Sequence, residues 1–377
     1  MKLLSVKIGN ATDVGWQFPV VHFKKLNLLV GESASGKSTF LNFLFNIGMK
    51  VSQDQGAILG VIRVEFEQDG TRYAWELECR KAENEPPEIF SESLWSHPSN
   101  SPPVQLLDRR DGSITVKGEK VPRMSPKSTG IYLFREDADI KPAHKAFTRL
   151  MRRDFAAGEL NNAFGLQALR KDLFEKCEKT NTVEALWDSG IVTLNPRLFL
   201  LERYFPEKYE AVCASYKNVF PFVERFEFKD MSEAEIGVGF RGRMPLLHIK
   251  DRKINELIGI QDLSSGMKKT LVIIADILAL PAGTVYLIDE YENSLGMNAI
   301  NFLPTLLAEY GDEKQFIVTS HHPYMINAIP VDNWVVFHRD GLNVSVKQGD
   351  QLVESYGKSK QQAFVKLLND PFYTDGQ

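Results

Sequence analysis

Nine residues near the amino terminus have the types and spacing of a phosphate-binding loop. They run from Gly31 to Thr39, read GESASGKST, and lie between a short apolar strand pattern at 26–30 and an apolar helix pattern. Glycines let backbone N–H groups turn towards phosphate oxygens, and the positive end of the following helix favours the same anion. Lys37 is placed to reach the β- and γ-phosphates of a nucleotide, and Ser38 to bind Mg²⁺. The candidate nucleotide-binding residues of this loop are Gly31, Ser33, Ser35, Gly36, Lys37, Ser38 and Thr39.

A pair of acidic residues closes a second apolar strand pattern, TVYLI at 284–288. Asp289 and Glu290 follow it directly. An aspartate in this place would bind Mg²⁺ together with Ser38, and a glutamate would orient and deprotonate an attacking water. Polar residues often end strands, so this interpretation depends on the phosphate-binding loop in the same chain.

A serine-rich turn before a helix pattern offers a second phosphate-binding device. Residues 263–267 read LSSGM and lie shortly before the acidic pair. Ser264, Ser265 and Gly266 open the helix pattern, and helix N-termini bind anions. A helix N-cap formed by either serine is the structural alternative.

The order of these motifs resembles that of the ABC-type ATPases, whose signature motif reads LSGGQ. A third apolar strand pattern, QFIVT at 315–319, ends before a serine and two histidines. The segment VTSHHPYMIN is similar to the TTHSP of RecF-like and OLD-like ATPases. This similarity implies that His321, and not His322, contacts the γ-phosphate.

The resemblance implies an α/β fold: a P-loop NTPase with an ABC-ATPase head, an antiparallel β lobe and a helical insertion. In such ATPases one chain supplies the phosphate-binding loop and another the signature motif, which implies a homodimer or higher homo-oligomer around ATP and Mg²⁺. Lys37, Glu290 and His321 would then be catalytic, and Ser38 and Asp289 would bind the metal. The signature motif of the second chain would complete each nucleotide site.

The motifs lie near both ends of the chain and must meet in space, so we predict one discontinuous ATPase head. The predicted parts are a nucleotide-binding core (1–62 and 261–350), a β-rich lobe (63–130), a mainly helical insertion (131–260) and a C-terminal tail (351–377).

The compact chain is most similar to RecF/OLD-like ATPases of prokaryotes, because no coiled-coil repeat fills its middle and too few residues follow His321 for a Toprim domain. That resemblance implies the sensor or regulatory ATPase of an anti-phage defence system, which controls a separate effector such as a nuclease. Two alternatives stay open: a RecF-like DNA repair or maintenance ATPase, and a scaffold that is clamped by ATP without hydrolysing it.

The composition fits a globular protein whose charges nearly balance. The 377 residues include 45 Lys and Arg against 49 Asp and Glu, a net charge of −4, which excludes a strongly basic nucleic-acid wrapper but not a local basic patch. Cys79, Cys177 and Cys213 are far apart, so neither a disulfide framework nor a zinc cluster is expected. The longest apolar stretch, 271–282, is too short to span a bilayer and carries Asp276. We therefore expect a cytoplasmic protein without membrane contact.

A group of basic residues between 141 and 153 has two interpretations. Lys141, Lys145, Arg149 and Arg153 are spaced by four and would share one face of a helix. That face would bind nucleic acid or an acidic partner, or would simply be solvated.

Three further patterns are less specific. IYLFR at 131–135 occupies the place of the family's Q-loop, where Arg135 is one substitute for the missing glutamine. Trp16 and Phe18 are candidates either for adenine contact or for core packing. GVGFRG at 237–242 matches a dinucleotide fingerprint but precedes no helix pattern, so we predict a turn.

Overall fold

The structure is a computed structural model of residues 1–377. It describes all of them except 12–14, 83, 84, 100, 111, 154, 156–162, 168, 170–174, 176, 177, 179–181, 189, 190, 192, 232–241, 294, 358 and 375–377. Cys177 and most of the 237–242 segment therefore lie outside the described residues. The chain divides into two compact units: a first unit of Met1–Arg153, Gly283–Tyr291 and Gly311–Gln377, and a second unit of Asp154–Ala282 and Glu292–Tyr310.

The strands of the two units are numbered together along the chain. In order they are β1 (Lys2–Ala11), β2 (Trp16–His22), β3 (Leu26–Val30), β4 (Gly60–Gln68), β5 (Thr71–Arg80), β6 (Glu88–His97), β7 (Val104–Arg110), β8 (Ser113–Val116), β9 (Glu119–Val121), β10 (Leu150–Arg153), β11 (Val223–Asp230), β12 (Pro245–Asp251), β13 (Leu257–Gly259), β14 (Val285–Ile288), β15 (Gln315–Thr319), β16 (Trp334–Asp340) and β17 (Asn343–Gln348).

The described α-helices are numbered in the same way. They are α1 (Lys37–Gln53), α2 (Gly130–Leu133), α3 (Lys141–Phe147), α4 (Val183–Trp187), α5 (Leu194–Tyr204), α6 (Pro206–Val219), α7 (Ser265–Ala279), α8 (Met297–Glu309), α9 (Pro323–Ala328), α10 (Gly349–Tyr356), α11 (Lys360–Leu368) and α12 (Pro371–Thr374).

Five neighbouring strands of the first unit form the parallel half of a 14-stranded sheet, in the order β10–β14–β15–β3–β16. The strands β3, β14 and β15 are buried along their whole length. Continuous burial is typical of parallel strands that are covered on both faces. The carboxyl ends of parallel strands meet at one edge of a sheet, so the residues that follow these strands lie close together.

The antiparallel half of the same sheet consists of β2, β1 and β4 to β9, which join the parallel half through the β16–β17 hairpin and one β17–β2 residue pair. Buried and exposed residues alternate along β4 and β5, because one face packs on the core and the other meets solvent. A two-residue turn joins β4 to β5 as a hairpin. Its turn places Asp69 and Gly70 at φ angles of 50° and 77°, as a two-residue hairpin turn requires.

The second unit packs helices against a small antiparallel sheet of order β11–β12–β13. A buried ion pair joins two of these helices: the Arg197 guanidinium of α5 lies 2.7 Å from the Asp276 carboxylate of α7. The Tyr216 hydroxyl of α6 also donates to the Met267 carbonyl of α7, at 3.3 Å. The helix that follows the LSSGM turn is therefore held firmly within this unit.

The predicted basic helix face is wrong. Helix α3 ends at Phe147, and Leu150–Arg153 form β10, which pairs in parallel with β14. Arg149 is buried, so it cannot share an exposed face with Lys141 and Lys145. Pairing with a fully buried strand overrides the helical spacing of these charges.

Two other observations concern the described residues as a whole. Cys79 and Cys213 are buried free thiols. None of the described helices has the length and apolar character needed to cross a membrane.

Candidate nucleotide-binding site

The phosphate-binding loop lies between β3 and α1 and has a backbone that few residues tolerate. Ala34 and Gly36 have φ angles of 63° and 95°, in the left-handed region. Successive left-handed and right-handed residues turn backbone N–H groups into a concave, anion-binding nest. At Gly31 a Cβ atom would lie 2.6 Å from Ser35 Oγ and 2.7 Å from the Phe337 carbonyl oxygen, so a side chain there would displace the loop from β16.

Lys37 folds back into this loop. Its Nζ donates to the carbonyl oxygens of Gly31 and Glu32, both at 2.7 Å, and to Ser35 Oγ at 3.1 Å. The ammonium group thus lies within the loop and is half-buried. Charge-assisted bonds to phosphate oxygens are stronger than these bonds to neutral acceptors, so a phosphate would compete well for the ammonium group.

The Asp289 carboxylate is the point where three strands and the phosphate-binding loop converge. Ser38 Oγ donates to Asp289 Oδ1 at 3.0 Å, and Thr319 Oγ1 donates to the same oxygen at 2.7 Å. Arg152 Nη2, from β10, lies 3.4 Å from Asp289 Oδ2. The structure therefore brings together Ser38 and Asp289, the two residues predicted to bind a metal.

This donor set fits Mg²⁺ better than a metal held by protein alone. The described part of the chain contains no group of three His, Cys, Asp or Glu residues able to hold a metal ion. Mg²⁺ is usually bound through one or two carboxylates together with substrate phosphates and waters. Ser38 and Asp289 would supply the protein ligands, and the remaining ligands would come from phosphate and water.

Glu290 is exposed and has a strained backbone, with φ at 45°. A left-handed residue other than glycine costs on the order of 1–3 kcal/mol and persists where surrounding contacts impose it. One such contact is the hydrogen bond from the Glu290 N–H to Thr319 Oγ1, at 2.8 Å. Strand β15 thus fixes the backbone of Glu290, from which its side chain extends.

The two histidines after β15 have different surroundings. His322 is the N-cap of α9, where its Nδ1 accepts from the Tyr324 N–H at 3.2 Å. His321 is exposed at the carboxyl end of the strand. A local cap accounts for His322, whereas His321 stands at the edge of the sheet that also carries Asp289.

The serine-rich turn lies in the second unit, at the start of α7. Ser264 is the N-cap, and its Oγ accepts from the Met267 N–H at 3.3 Å, so the structural alternative holds for this serine. Ser264 and Ser265 are nevertheless exposed, and Gly266 is partly exposed. The first N–H groups of a helix have no partner within the helix, so this exposed turn retains the capacity to bind an anion.

A cavity of about 170 Å³ adjoins the phosphate-binding loop and is lined by Trp16, Arg339 and residues 34–39. Phe18 is buried and stacks on Trp16 with ring centroids 5.6 Å apart, so core packing is confirmed for Phe18. Arg339 lies 4.9 Å from the Trp16 ring and donates to the Ala34 carbonyl oxygen at 3.1 Å. A ring and a guanidinium therefore border the phosphate-binding loop at this cavity, and an adenine contact of Trp16 stays a prediction.

Sequence reasoning missed Thr319, Arg339 and Arg152. Thr319 could have been found, because neighbouring parallel strands that end together place their last residues side by side. Arg339 gives no such signal, since a basic residue in a terminal hairpin is ordinary. Arg152 lies in the basic group of 141–153 without a predicted role, and it belongs to the strand beside β14.

The segment predicted to occupy the Q-loop position begins with a short helix. Residues 131–133 belong to the short helix α2, whose N-cap is Thr129, and Arg135 follows in a turn. Its assignment to the Q-loop, with Arg135 as one substitute for the missing glutamine, stays a prediction.

Comparisons with known proteins bear on the family and the fold of the chain. The profile of the family described as "AAA domain, putative AbiEii toxin, Type IV TA system" matches residues 26–327. No curated protein matches the chain. Among solved structures, an SMC head bound to the C-winged helix domain of ScpA is 14% identical, with a TM-score of 0.51, over 92% of this chain and 97% of that one.

Two further SMC heads are also similar. The SMC head domain from Thermotoga maritima is 12% identical, with a TM-score of 0.42, over 92% of this chain and 99% of that one. An SMC head with an extended coiled coil, bound to the C-terminal domain of ScpA derived from Pyrococcus furiosus, is 13% identical, with a TM-score of 0.45. The match covers 94% of this chain and 98% of that one.

These comparisons confirm the predicted fold class, an α/β P-loop NTPase with the head fold of ABC-type ATPases. The matched family segment extends from β3 through the phosphate-binding loop, the acidic pair and His321. The chain therefore belongs to the AAA-domain family of the putative AbiEii toxin of type IV TA systems, and it is an ATPase of the AAA/SMC-head type.

Proposed function

We propose that the chain binds ATP with Mg²⁺ and hydrolyses it to ADP and phosphate. The observation that carries this proposal is the convergence on Asp289 of the Ser38 and Thr319 hydroxyls, next to the loop that contains Lys37. A nucleotide in the loop has its phosphates beside both the ammonium group and the candidate metal ligands. That is the arrangement that phosphoryl transfer to water needs.

Each residue has a distinct task in this proposal. Lys37 exchanges its carbonyl partners for the β- and γ-phosphates, and the backbone N–H groups of residues 31–39 hold the remaining oxygens. Ser38 and Asp289 hold Mg²⁺, which neutralises the charge that develops on the phosphates. Glu290 orients a water and accepts its proton, and His321 contacts the γ-phosphate.

We also propose that two chains, or a higher homo-oligomer, close around ATP. The support is the exposed first turn of α7, where Ser264, Ser265 and Gly266 have the character of an anion site. In this arrangement the turn of one chain binds the γ-phosphate held by the other. ATP then stabilises the closed assembly, and hydrolysis releases it, because the two states differ in affinity for the nucleotide.

The replacement Glu290→Gln tests the catalytic proposal. It removes the base but keeps the size of the side chain, so we expect ATP hydrolysis to fall by at least about 100-fold while ATP binding persists. A matched control is Glu354→Gln on the exposed side of α10, which should hydrolyse ATP at the wild-type rate. Hydrolysis by Glu290→Gln at the wild-type rate would remove Glu290 from this role.

For the biological role we propose a cytoplasmic sensor or regulatory ATPase of a prokaryotic anti-phage defence system, which controls a separate effector. The family description names a putative toxin of a type IV TA system, and the similar SMC head was solved with a ScpA domain bound. Both favour a protein partner. The DNA-binding alternative loses one line of support, because the basic residues of 141–153 form no helix face.

Phage challenge tests this role. Phage should form fewer plaques on cells that carry the wild-type chain with its neighbouring gene than on cells that carry the Glu290→Gln variant with the same gene. Equal plaque numbers, together with tight and salt-sensitive duplex binding in the presence of ATP, would favour the DNA repair alternative. ATP binding without turnover in the wild-type chain would favour the scaffold.

A further inference from the structure

Arg152 lies directly beside the carboxylate assigned to Mg²⁺. It is the third residue of β10 and stands opposite Leu287 of β14, two residues before Asp289. Its Nη2 lies 3.4 Å from Asp289 Oδ2, whereas Oδ1 accepts the hydroxyls of Ser38 and Thr319. One oxygen of the carboxylate is therefore bound by neutral donors, and the other faces a full positive charge.

This ion pair is well shielded from solvent. The side chains of Arg152 and Asp289 are only 14% and 11% exposed. Charges interact more strongly in such a place than at an exposed surface, where water screens them. A divalent cation that reaches Asp289 must compete with the guanidinium for the same oxygen, and it also meets the positive charge of Lys37.

We propose that Arg152 is the internal counter-ion of Asp289 and competes with the divalent cation for this carboxylate. The site then binds the metal weakly by itself and tightly with a nucleotide, whose phosphates offset the excess positive charge. Arg152 thereby makes metal binding conditional on nucleotide binding. This inference rests on the proposed function, since it takes Asp289 as a metal ligand.

Mn²⁺ binding to the nucleotide-free chain tests the inference without any measurement of activity. The probe is the Mn²⁺ ion itself, and its free concentration is read from the electron paramagnetic resonance signal. Replacing Arg152 by Gln or by Met removes the competing charge and keeps a side chain on the strand. We expect either variant to lower the Mn²⁺ dissociation constant by about tenfold.

Two control variants isolate the charge and its position. Arg152→Lys keeps the charge and should keep the weak binding of the wild type. Arg153→Gln removes the same charge one residue along β10, where the side chain points to the opposite face of the sheet. It should bind Mn²⁺ as weakly as the wild type does.

Two results overturn the inference. The first is that Arg152→Gln and Arg152→Met bind Mn²⁺ with the same dissociation constant as the wild type. The second is that Arg153→Gln lowers the Mn²⁺ dissociation constant as much as the Arg152 variants do. Adding Asp289→Ala to Arg152→Gln separates this failure from that of the proposed function. If Arg152→Gln tightens Mn²⁺ binding and the double variant keeps that gain, the metal binds elsewhere and the metal assignment of Asp289 is wrong.

Discussion

The two halves of the large sheet differ in strand length, in burial and in the residues at which their strands end. In the parallel half, β3, β14 and β15 have four or five residues, all buried. In the antiparallel half, β5 and β6 have ten residues each and alternate between buried and exposed positions. The candidate catalytic residues of the first unit, Lys37, Glu290 and His321, lie within seven residues after the short strands, and the long strands contribute none of them.

The parallel half therefore positions the candidate catalytic groups, and the antiparallel half contributes to the stability of the fold. Short parallel strands end at one edge, so a few residues after each strand are enough to build a site. Long antiparallel strands turn back at hairpins and bury one face, which adds apolar contact area. Changes in the parallel half should therefore alter catalysis, and changes in the antiparallel half should alter stability.

The largest effect is expected at the phosphate-binding loop, for Lys37→Met. Loss of the ammonium group removes the positive charge from the phosphates, and we expect ATP hydrolysis to fall by about 100-fold or more. The melting temperature should stay within a few degrees of the wild type, because the hydrogen bonds of Lys37 to Gly31, Glu32 and Ser35 all lie within the loop.

Lys50→Met is the matched control on the same helix. Lys50 pairs with Asp54 at the last turn of α1, at the opposite end of the helix from the phosphate-binding loop. The variant should hydrolyse ATP normally. If Lys37→Met kept more than a tenth of the wild-type rate, the parallel half would not hold the chemistry assigned to it.

A buried residue of the antiparallel half gives the second test, Trp75→Phe. Trp75 is fully buried in β5, and its Nε1 donates to Glu92 Oε1 at 3.0 Å. The replacement leaves a cavity and removes one partner of a buried carboxylate, so the free energy of unfolding should fall by about 2–4 kcal/mol. Denaturant unfolding measures that loss, and the rate of ATP hydrolysis of the folded variant should be within twofold of wild type.

Trp95→Phe provides the same chemical change at an exposed position of β6, where the side chain is 36% exposed. It should change the unfolding free energy by less than about 0.5 kcal/mol. A large fall in catalytic rate for Trp75→Phe, without loss of folded protein, would show that the antiparallel half also shapes the site.

The sequence predicts the fold best where local pattern and tertiary role coincide. The three apolar strands before the motifs all appear as expected. The strand β10 was missed because its four residues, LMRR, carry two charges and follow a helical spacing. Only its pairing with β14, more than 130 residues later in the chain, makes it a strand.

The candidate site could be predicted in its residues but not in its connections. The phosphate-binding loop and the acidic pair are recognisable because their chemistry fixes residue types at short spacing. The guanidinium of Arg152 at Asp289 and that of Arg339 at the loop depend on sheet order, which no local pattern encodes. The left-handed backbone of Glu290 is likewise imposed by its neighbours, since glutamate does not favour it.

Helix α3 contacts both halves of the sheet, and a variant in it gives the prediction with the smallest expected effect. Its Phe147 packs edge-on against Phe66 and Trp75 of the antiparallel half. On the other side, His144 Nε2 lies 3.1 Å from the Ser52 carbonyl oxygen at the end of α1. If the two halves unfold together, protonation of His144 should shift the melting temperature of a single unfolding transition.

Burial lowers the pKa of His144 below its usual value of 6.5, and the nearby Arg135 charge acts in the same direction, against the Ser52 carbonyl and Glu136. The unfolded chain thus takes up this proton at a higher pH than the folded chain does. The contribution of neutral His144 to stability is therefore full above about pH 6.5 and is lost as the pH falls through the lowered pKa.

We expect the melting temperature of the wild type to fall more between pH 7.5 and pH 5 than that of His144→Gln, whose side chain can still donate to the Ser52 carbonyl. Solvent screens a half-buried group, so the difference should be only about 1 °C. Calorimetry at both pH values measures it, with His97→Gln, a partly exposed histidine of β6, as the control. Two separate transitions, of which only one responds to pH, would show that the halves of the sheet unfold independently.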